Sequence, residues 1–190
     1  MESIETKPAV AGTTGLEAFS KATCRFCGNH LKHTFVDLGM SPLCESYLSM
    51  DQLNQMEPFY PLYVYVCDKC YLVQLEEYVT PEHIFTEYAY FSSYATSWLE
   101  HVKNYTHQMI DRFRLDQNSF VVEVASNDGY LLQYFVEKGI PVLGIEPALN
   151  VAKVAEAIGV PTLTEFFGVE CATKLAAEGK QADLIAGNNV

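Results

Sequence analysis

Six cysteines occur in the 190 residues, and four of them form two Cys-x-x-Cys pairs, Cys24/Cys27 and Cys67/Cys70. Four thiolates can surround one divalent ion as a tetrahedron, the arrangement zinc takes in structural sites. Such a site has no open ligand position, so its expected role is structural rather than catalytic. Gly28, directly after Cys27, suits a knuckle in which the backbone turns through positive φ and aims N–H groups at the sulfurs. Arg25 and Lys69 lie inside the two pairs, where they can offset the charge of four thiolates. A rubredoxin-like iron site would use the same four ligands. Two separate redox dithiols would each be expected to open a helix, and neither pair precedes a helical pattern. Cys44 and Cys171 read as buried thiols, and His30 and His33 as exposed polar residues. The 39 residues between the pairs must carry their own structure, expected as strands with a turn around Gly39–Pro42.

A second candidate for chemistry is the run Phe120-Val-Val-Glu-Val-Ala-Ser-Asn-Asp-Gly129. It reads as a buried strand followed by a tight turn into a helix, the place where nucleotide folds bring a ligand against backbone. Glu123 supplies an acid and Gly129 a glycine, while Ala125 and Asn127 stand where further glycines are usual. Asn tolerates positive φ better than most residues. Glu146 ends the next strand, where an acid can accept hydrogen bonds from two ribose hydroxyls. The competing reading of Glu146 is an exposed loop acid. No Gly-x-x-x-x-Gly-Lys-Ser/Thr run is present, which argues against a triphosphate site. An acidic, glycine-poor loop suits the cationic, phosphate-free S-adenosylmethionine better than a pyrophosphate.

These residues need elements to hold them. Residues 1–21, rich in Thr, Ala and Gly, read as a disordered leader with no secretory-signal pattern. Residues 22–80 read as a small β-rich metal-binding domain, and 81–118 as a helical linker. In that linker Trp98, Val102, Tyr105, Met109 and Phe113 recur at helical spacing, with a start near Ser92–Ser97. Residues 119–190 alternate strand and helix signals: strands at 120–125, 141–146, 160–163 and 183–188, helices at 130–138, 150–158 and 170–177. Strands separated by helices imply βαβ units and a parallel sheet.

Composition narrows the function. The formal net charge is -12, which argues against a nucleic-acid groove or an anionic membrane surface. No apolar run approaches the length of a membrane helix. The expectation is a cytoplasmic protein with a small-molecule substrate.

Several segments together resemble a known family. They are Cys24-x-x-Cys27-Gly28, Asp37-Leu38-Gly39…Pro42-Leu43, Cys67-Asp-Lys-Cys70-Tyr-Leu-Val-Gln74-Leu75, Tyr88-Ala-Tyr90-Phe-Ser92-Ser93 and Glu123-Val-Ala-Ser126-Asn127-Asp128-Gly129-Tyr-Leu, in that order. In combination they resemble the zinc-containing, S-adenosylmethionine-dependent sugar C-methyltransferases, of which the nucleotide-deoxysugar C-3 methyltransferases are the type. The resemblance covers about residues 22–190. It implies an α/β chain: a small β-rich zinc-binding domain followed by a class I (Rossmann-like) methyltransferase domain, here 119–190 and incomplete after its fourth strand. The family's further strands, its catalytic histidine and its C-terminal domain would follow. A half-sheet alone would leave an edge and apolar surface open, so a chain that is oligomeric, aggregation-prone or only partly ordered in its last third is expected.

The resemblance implies zinc ligation by Cys24, Cys27, Cys67 and Cys70. It implies cofactor binding by Ser126, Asn127, Gly129 and Glu146, with Glu123 as the acid of the loop motif. Tyr90 matches the family's active-site tyrosine; its competing reading is a packed aromatic. Ser93 is a candidate for the cofactor carboxylate, Phe166 for the adenine ring, and Asn188 for the neighbourhood of the sulfonium. The implied acceptor is a nucleotide-linked keto sugar. Two other readings remain open: a non-catalytic zinc-binding assembly module with a vestigial half-domain, and a nicotinamide-dependent reductase.

Overall fold

The computed structural model describes residues 22–190, so the expected leader lies outside the described residues. The chain forms two compact units. One comprises 22–42 and 58–78, the other 43–57 and 79–190.

The first unit is a three-stranded antiparallel sheet, β1 (His33–Ser41), β2 (Tyr60–Val66) and β3 (Val73–Leu75), in that order. Gly39 was expected in a turn, but it lies within β1. There the register with β2 shifts between Asp37 and Met40, Gly39 takes φ 81°, and its N–H donates to Asp37 Oδ1 at 2.9 Å. It therefore serves a bulge rather than a hairpin. Among the described residues the buried core is slight: Ala22, Leu31 and the cysteines Cys24 and Cys67, with Tyr65 and Leu72 packed beside them. So small a core leaves a domain of this size in need of a staple, which a metal site supplies.

Cys44 departs from expectation. It is exposed, in the irregular stretch between β1 and β2. Cys171 is buried, on a helix of the second unit.

The second unit is a four-stranded parallel sheet of order β6-β5-β4-β7. Its strands are β4 (Val121–Val124), β5 (Val142–Ile145), β6 (Thr162–Leu163) and β7 (Leu184–Gly187). The helices are α1 (Pro81–Phe85), α2 (Thr96–Phe113), α3 (Leu132–Val136), α4 (Leu149–Ala157) and α5 (Val169–Ala177). Strand alternation sends Val121 and Val142 into one core with Leu131, Phe135, Ala155 and Val160, and Val122 and Ile145 into another with Cys171 and Leu175. The central strands β4 and β5 are thus buried on both faces, which accounts for their near-continuous apolar character, while the edge strand β7 leaves Ile185 59% exposed.

The stretch 81–118 belongs to this unit. Helix α2 packs Trp98, Leu99, Val102, Met109 and Ile110 against the first core. The expected stripe is displaced: Tyr105 and Phe113 stay 37% and 50% exposed, while Thr106 is fully buried. Position relative to the sheet, not residue polarity, selected the inner face. No helix among the described residues is long and apolar enough to cross a membrane.

Candidate functional site: a four-cysteine metal centre and an aromatic cavity

The two Cys-x-x-Cys turns are built alike. Gly28 N–H donates to Cys24 O and Tyr71 N–H donates to Cys67 O, both at 2.9 Å. Cys24 N–H donates to Asn29 O and Cys67 N–H to Leu72 O, at 2.8 and 3.0 Å. The residue after each second cysteine has positive φ, 69° at Gly28 and 60° at Tyr71. The four sulfurs lie within 4.8 Å of one another. Cys24–Cys70 and Cys27–Cys67 approach to 3.5 and 3.6 Å. A tetrahedral zinc with Zn–S bonds of about 2.3 Å would hold its sulfurs about 3.8 Å apart, so the donor set fits the ion.

The surrounding groups favour thiolate. Gln74 Nε2 donates to Cys24 Sγ at 3.2 Å, and that bond leads the causes that lower the Cys24 thiol to about 6. Lys69 N–H donates to Cys67 Sγ at 3.4 Å, and backbone donors, Cys70 first, lower Cys67 as well. Cys70 accepts help from the Leu72 N–H, yet burial and its three sulfur neighbours push it up to about 12. Anionic sulfurs so close repel one another, and only a cation lets all four ionise together.

In the second unit, a cavity of about 350 Å³ opens at the carboxyl ends of β4, β5 and β7. Ligands of open α/β sheets bind at such strand ends. Its walls are largely aromatic: Phe85, Tyr88, Tyr90, Trp98, Tyr130 and Phe166. Polar groups come from Ser92, Asn127, Glu146, Asn188 and Asn189, and among the described residues no Lys, Arg or His lines it.

The loop after β4 turns tightly. Ala125, Asn127 and Gly129 take φ of 55°, 50° and 78°, so the backbone keeps an alternation of positive φ with only one glycine. Gly129 is also needed for packing, because a Cβ there would stand 3.1–3.2 Å from Val160 and Ala155. This is the helix–strand contact that a last loop glycine serves.

Glu146 is the pivot of the site. It is 5% exposed. Asn127 N–H donates to its Oε2 and Ala148 N–H to its Oε1, each at 2.9 Å. Burial raises its pKa, and these two N–H groups oppose the shift. Each oxygen retains a lone pair, so the carboxylate can still accept two hydroxyls from the cavity side.

The structure brings Tyr90, Asn127, Glu146, Phe166 and Asn188 together on the cavity wall. The side chains of Ser93, Glu123 and Ser126 go elsewhere. Ser93 donates through both N–H and Oγ to Asp128 Oδ2, so its hydroxyl serves the fold. The Ser126 side chain faces β5, its Cβ 3.0 Å from where a Cβ on Gly144 would stand. Glu123 is fully buried, and its Oε1 accepts from Asn188 Nδ2 at 3.2 Å.

Asn188 Nδ2 also lies 3.1 Å from the Tyr130 hydroxyl. Burial pushes Glu123 up to about 8, and burial first, then the Glu123 charge, raises Tyr130 further. Sequence reasoning quoted Tyr88, Asp128 and Tyr130 within motifs and Trp98 on a helix face, but gave none of them a place in the site. Trp98 and Tyr130 stack at 6.1 Å, a pairing invisible to motif spacing. Glu123 Oε2, Ser126 Oγ and Asp128 Oδ1 are buried without a hydrogen-bond partner. Unpaired polar atoms around one buried loop are what ordered water would satisfy.

Comparison with known proteins agrees with the cysteine geometry. A family model described as "Putative zinc binding domain" matches residues 24–85. The C-methyltransferase NovU of Streptomyces niveus is 33% identical over 164 residues, 86% of this chain and 39% of that protein. The chain therefore spans about two fifths of that relative's length. Solved structures with similarity include a SAM-dependent methyltransferase from Thiobacillus denitrificans in complex with S-adenosyl-L-homocysteine (18% identity, 46% of this chain, 36% of that one, TM-score 0.32). The MccD protein is another (20% identity, 46% and 32%, TM-score 0.26). Scores this low support no argument about function. The four-sulfur cluster coincides with the matched zinc-binding segment, and along most of its length the chain is similar to a C-methyltransferase.

Proposed function

We propose that this chain carries the zinc and cofactor-binding parts of a cytoplasmic S-adenosylmethionine-dependent C-methyltransferase. The acceptor class is a nucleotide-linked keto-deoxysugar, methylated on a carbon beside the ketone. The observation that carries the cofactor reading is Glu146. A buried carboxylate follows β5, is aimed by two backbone N–H groups, and lines an aromatic cavity that has no cationic side chain among the described residues. Such a wall favours a cationic, phosphate-free ligand with a ribose diol and disfavours a pyrophosphate.

When bound, the cofactor supplies an electrophilic methyl group. Glu146 would accept hydrogen bonds from the ribose, and Phe166 would lie against the adenine. Tyr90, Asn188 and the Asn127 backbone would lie about the donor end. The carbon beside the ketone would take up that methyl once its proton had passed to a base, so donor and acceptor would have to be held in line. The chain's contribution is alignment of donor and acceptor and a low-polarity wall of aromatic rings, with Tyr90 as the candidate to hold or move a proton at its hydroxyl. The zinc unit serves architecture, since four sulfurs leave zinc no open position.

The test is isothermal titration of the zinc-loaded protein with S-adenosylhomocysteine and, separately, NADH. One equivalent of S-adenosylhomocysteine with no NADH heat is expected. Binding of NADH alone would overturn the reading.

A further inference from the structure

Residues 86–91 have no regular secondary structure, yet Tyr88 and Tyr90 form part of the cavity wall. A segment of that kind keeps its place only if its backbone polar groups find partners. Besides Tyr94 N–H, which donates to Phe91 O at 3.3 Å, three side chains supply them. Asn127 accepts from Ser92 N–H at 2.9 Å and donates from Nδ2 to Tyr90 O at 3.0 Å. Asp128 accepts from Ser93 N–H at 3.1 Å. Asn150, in the first turn of α4, accepts from Tyr88 N–H at 3.0 Å and donates to Tyr88 O at 2.6 Å. A two-point amide contact of this sort imitates the pairing of a neighbouring strand.

Of the three, Asn150 stands apart. Asn127 lines the cavity, and Asp128 is in the same tight loop. Asn150 is half-buried and does not line the cavity, and both polar backbone groups of Tyr88 are bound to it. It lies four residues after Glu146, on the turn that Glu146 itself braces through Ala148 N–H. Asn127 closes the loop from the other side, joining Glu146 through its N–H and the strap through its side chain. The ligand-facing carboxylate and the tyrosine strap are therefore held by the same two turns.

We propose that Asn150 is a positioning residue that clamps the strap 88–93, fixing where the Tyr88 and Tyr90 rings stand and coupling strap order to occupation of the cavity. The coupling half of this inference rests on the cavity being the cofactor site. The clamp half does not. Tyr88 is the ring nearest the clamp, packing on Phe85 at 5.7 Å and on Tyr90 at 6.5 Å. Loss of the clamp thus frees the aromatic wall from one end while Asn127 still holds the other.

The experiment compares the zinc-loaded parent with Asn150→Ala and Asn150→Asp. Hydrogen exchange is followed by mass spectrometry, and S-adenosylhomocysteine affinity by calorimetry and by quenching of Trp98, the sole tryptophan. Asn150→Ala is expected to speed exchange in the peptide covering 86–94 while β4 and β5 stay protected, and to weaken ligand affinity roughly tenfold, the loss of two net hydrogen bonds. Asn150→Asp keeps the acceptor for Tyr88 N–H and loses the donor, so it should fall between the two and report if the alanine variant unfolds. Unchanged strap exchange in a folded variant overturns the clamp. Faster strap exchange with parental affinity overturns the coupling. A parent that binds no S-adenosylhomocysteine defeats the cofactor reading instead, and the exchange comparison still decides the clamp.

Discussion

Asn188 donates from Nδ2 to Glu123 Oε1 at 3.2 Å, tying the end of β7 to the interior of its neighbour β4. The two residues are 65 positions apart, and the contact exists because β4 and β7 run parallel with Glu123 opposite Ala186. The acid is otherwise encased, and its Oε2 has no partner. A carboxyl in that setting holds its proton, which gives the first prediction.

Folding raises Glu123 from 4.5 to about 8. The folded chain then binds the proton more tightly than the unfolded one. The stability this group contributes is complete below about pH 4.5 and is lost as pH rises through about 8. Glu123→Gln, neutral throughout, should match the parent near pH 5 and exceed it near pH 9, by on the order of a few kcal/mol. Urea melts at the two pH values measure the difference. Parallel curves for the two proteins would show that Glu123 is ionised when folded.

Glu146 is expected to matter more for binding than for folding. Glu146→Gln replaces one acceptor by a donor that must face either Asn127 N–H or Ala148 N–H, and it weakens the grip on a diol. S-adenosylhomocysteine affinity should fall at least about tenfold, with a loss of stability of about 1 kcal/mol. Calorimetry and thermal melts read the two effects separately.

Ala125 sits at φ 55°, where an L side chain is strained by about 1–2 kcal/mol. Glycine removes the strain but adds freedom to the unfolded chain, a penalty of about 0.5–1 kcal/mol. Ala125→Gly should therefore be neutral or stabilising by up to about 1 kcal/mol, which is unusual for such a change. A clear destabilisation in urea melts would contradict the positive-φ turn.

Gly144 is different, because its φ needs no glycine but its space does. A Cβ would stand 3.0 Å from Ser126 Cβ, closer still to Oγ, and 3.2 Å from Thr162 Oγ1. Gly144→Ala should cost about 1–3 kcal/mol. Combining it with Ser126→Gly should recover much of that loss, a coupling that a double-mutant cycle measures.

The metal centre makes a separate prediction. The purified chain should carry about one zinc, and Cys67→Ser should lose it together with the fold of the first unit, whose core is too slight to stand alone. Elemental analysis and near-ultraviolet dichroism follow metal and fold. Zinc-free protein with an intact first unit would contradict the staple argument.

The amino-acid sequence alone determined the parts of this protein that local chemistry encodes. Cysteine spacing named the four sulfurs that meet, because a two-residue gap leaves little choice of turn. Alternating apolar runs named the parallel strands, because only a strand buried on both faces is apolar throughout. An acid after the second strand named Glu146 for the same reason of register.

Tertiary structure decided what those parts were spent on. Helix α2 turned a different face inward than its aromatic stripe suggested, and the stretch 43–57 joined the second unit although it lies between strands of the first. Ser93 gave its hydroxyl to Asp128, Ser126 turned its side chain toward β5, and Asn127 and Asp128 were turned to the tyrosine strap. Glu123, Tyr130 and Asn188 were gathered into one buried network. Each of these outcomes depends on partners tens of residues away, and a hydrogen bond between distant residues leaves no periodic trace in the sequence. Only packing the sheet and its helices brings the two ends within reach.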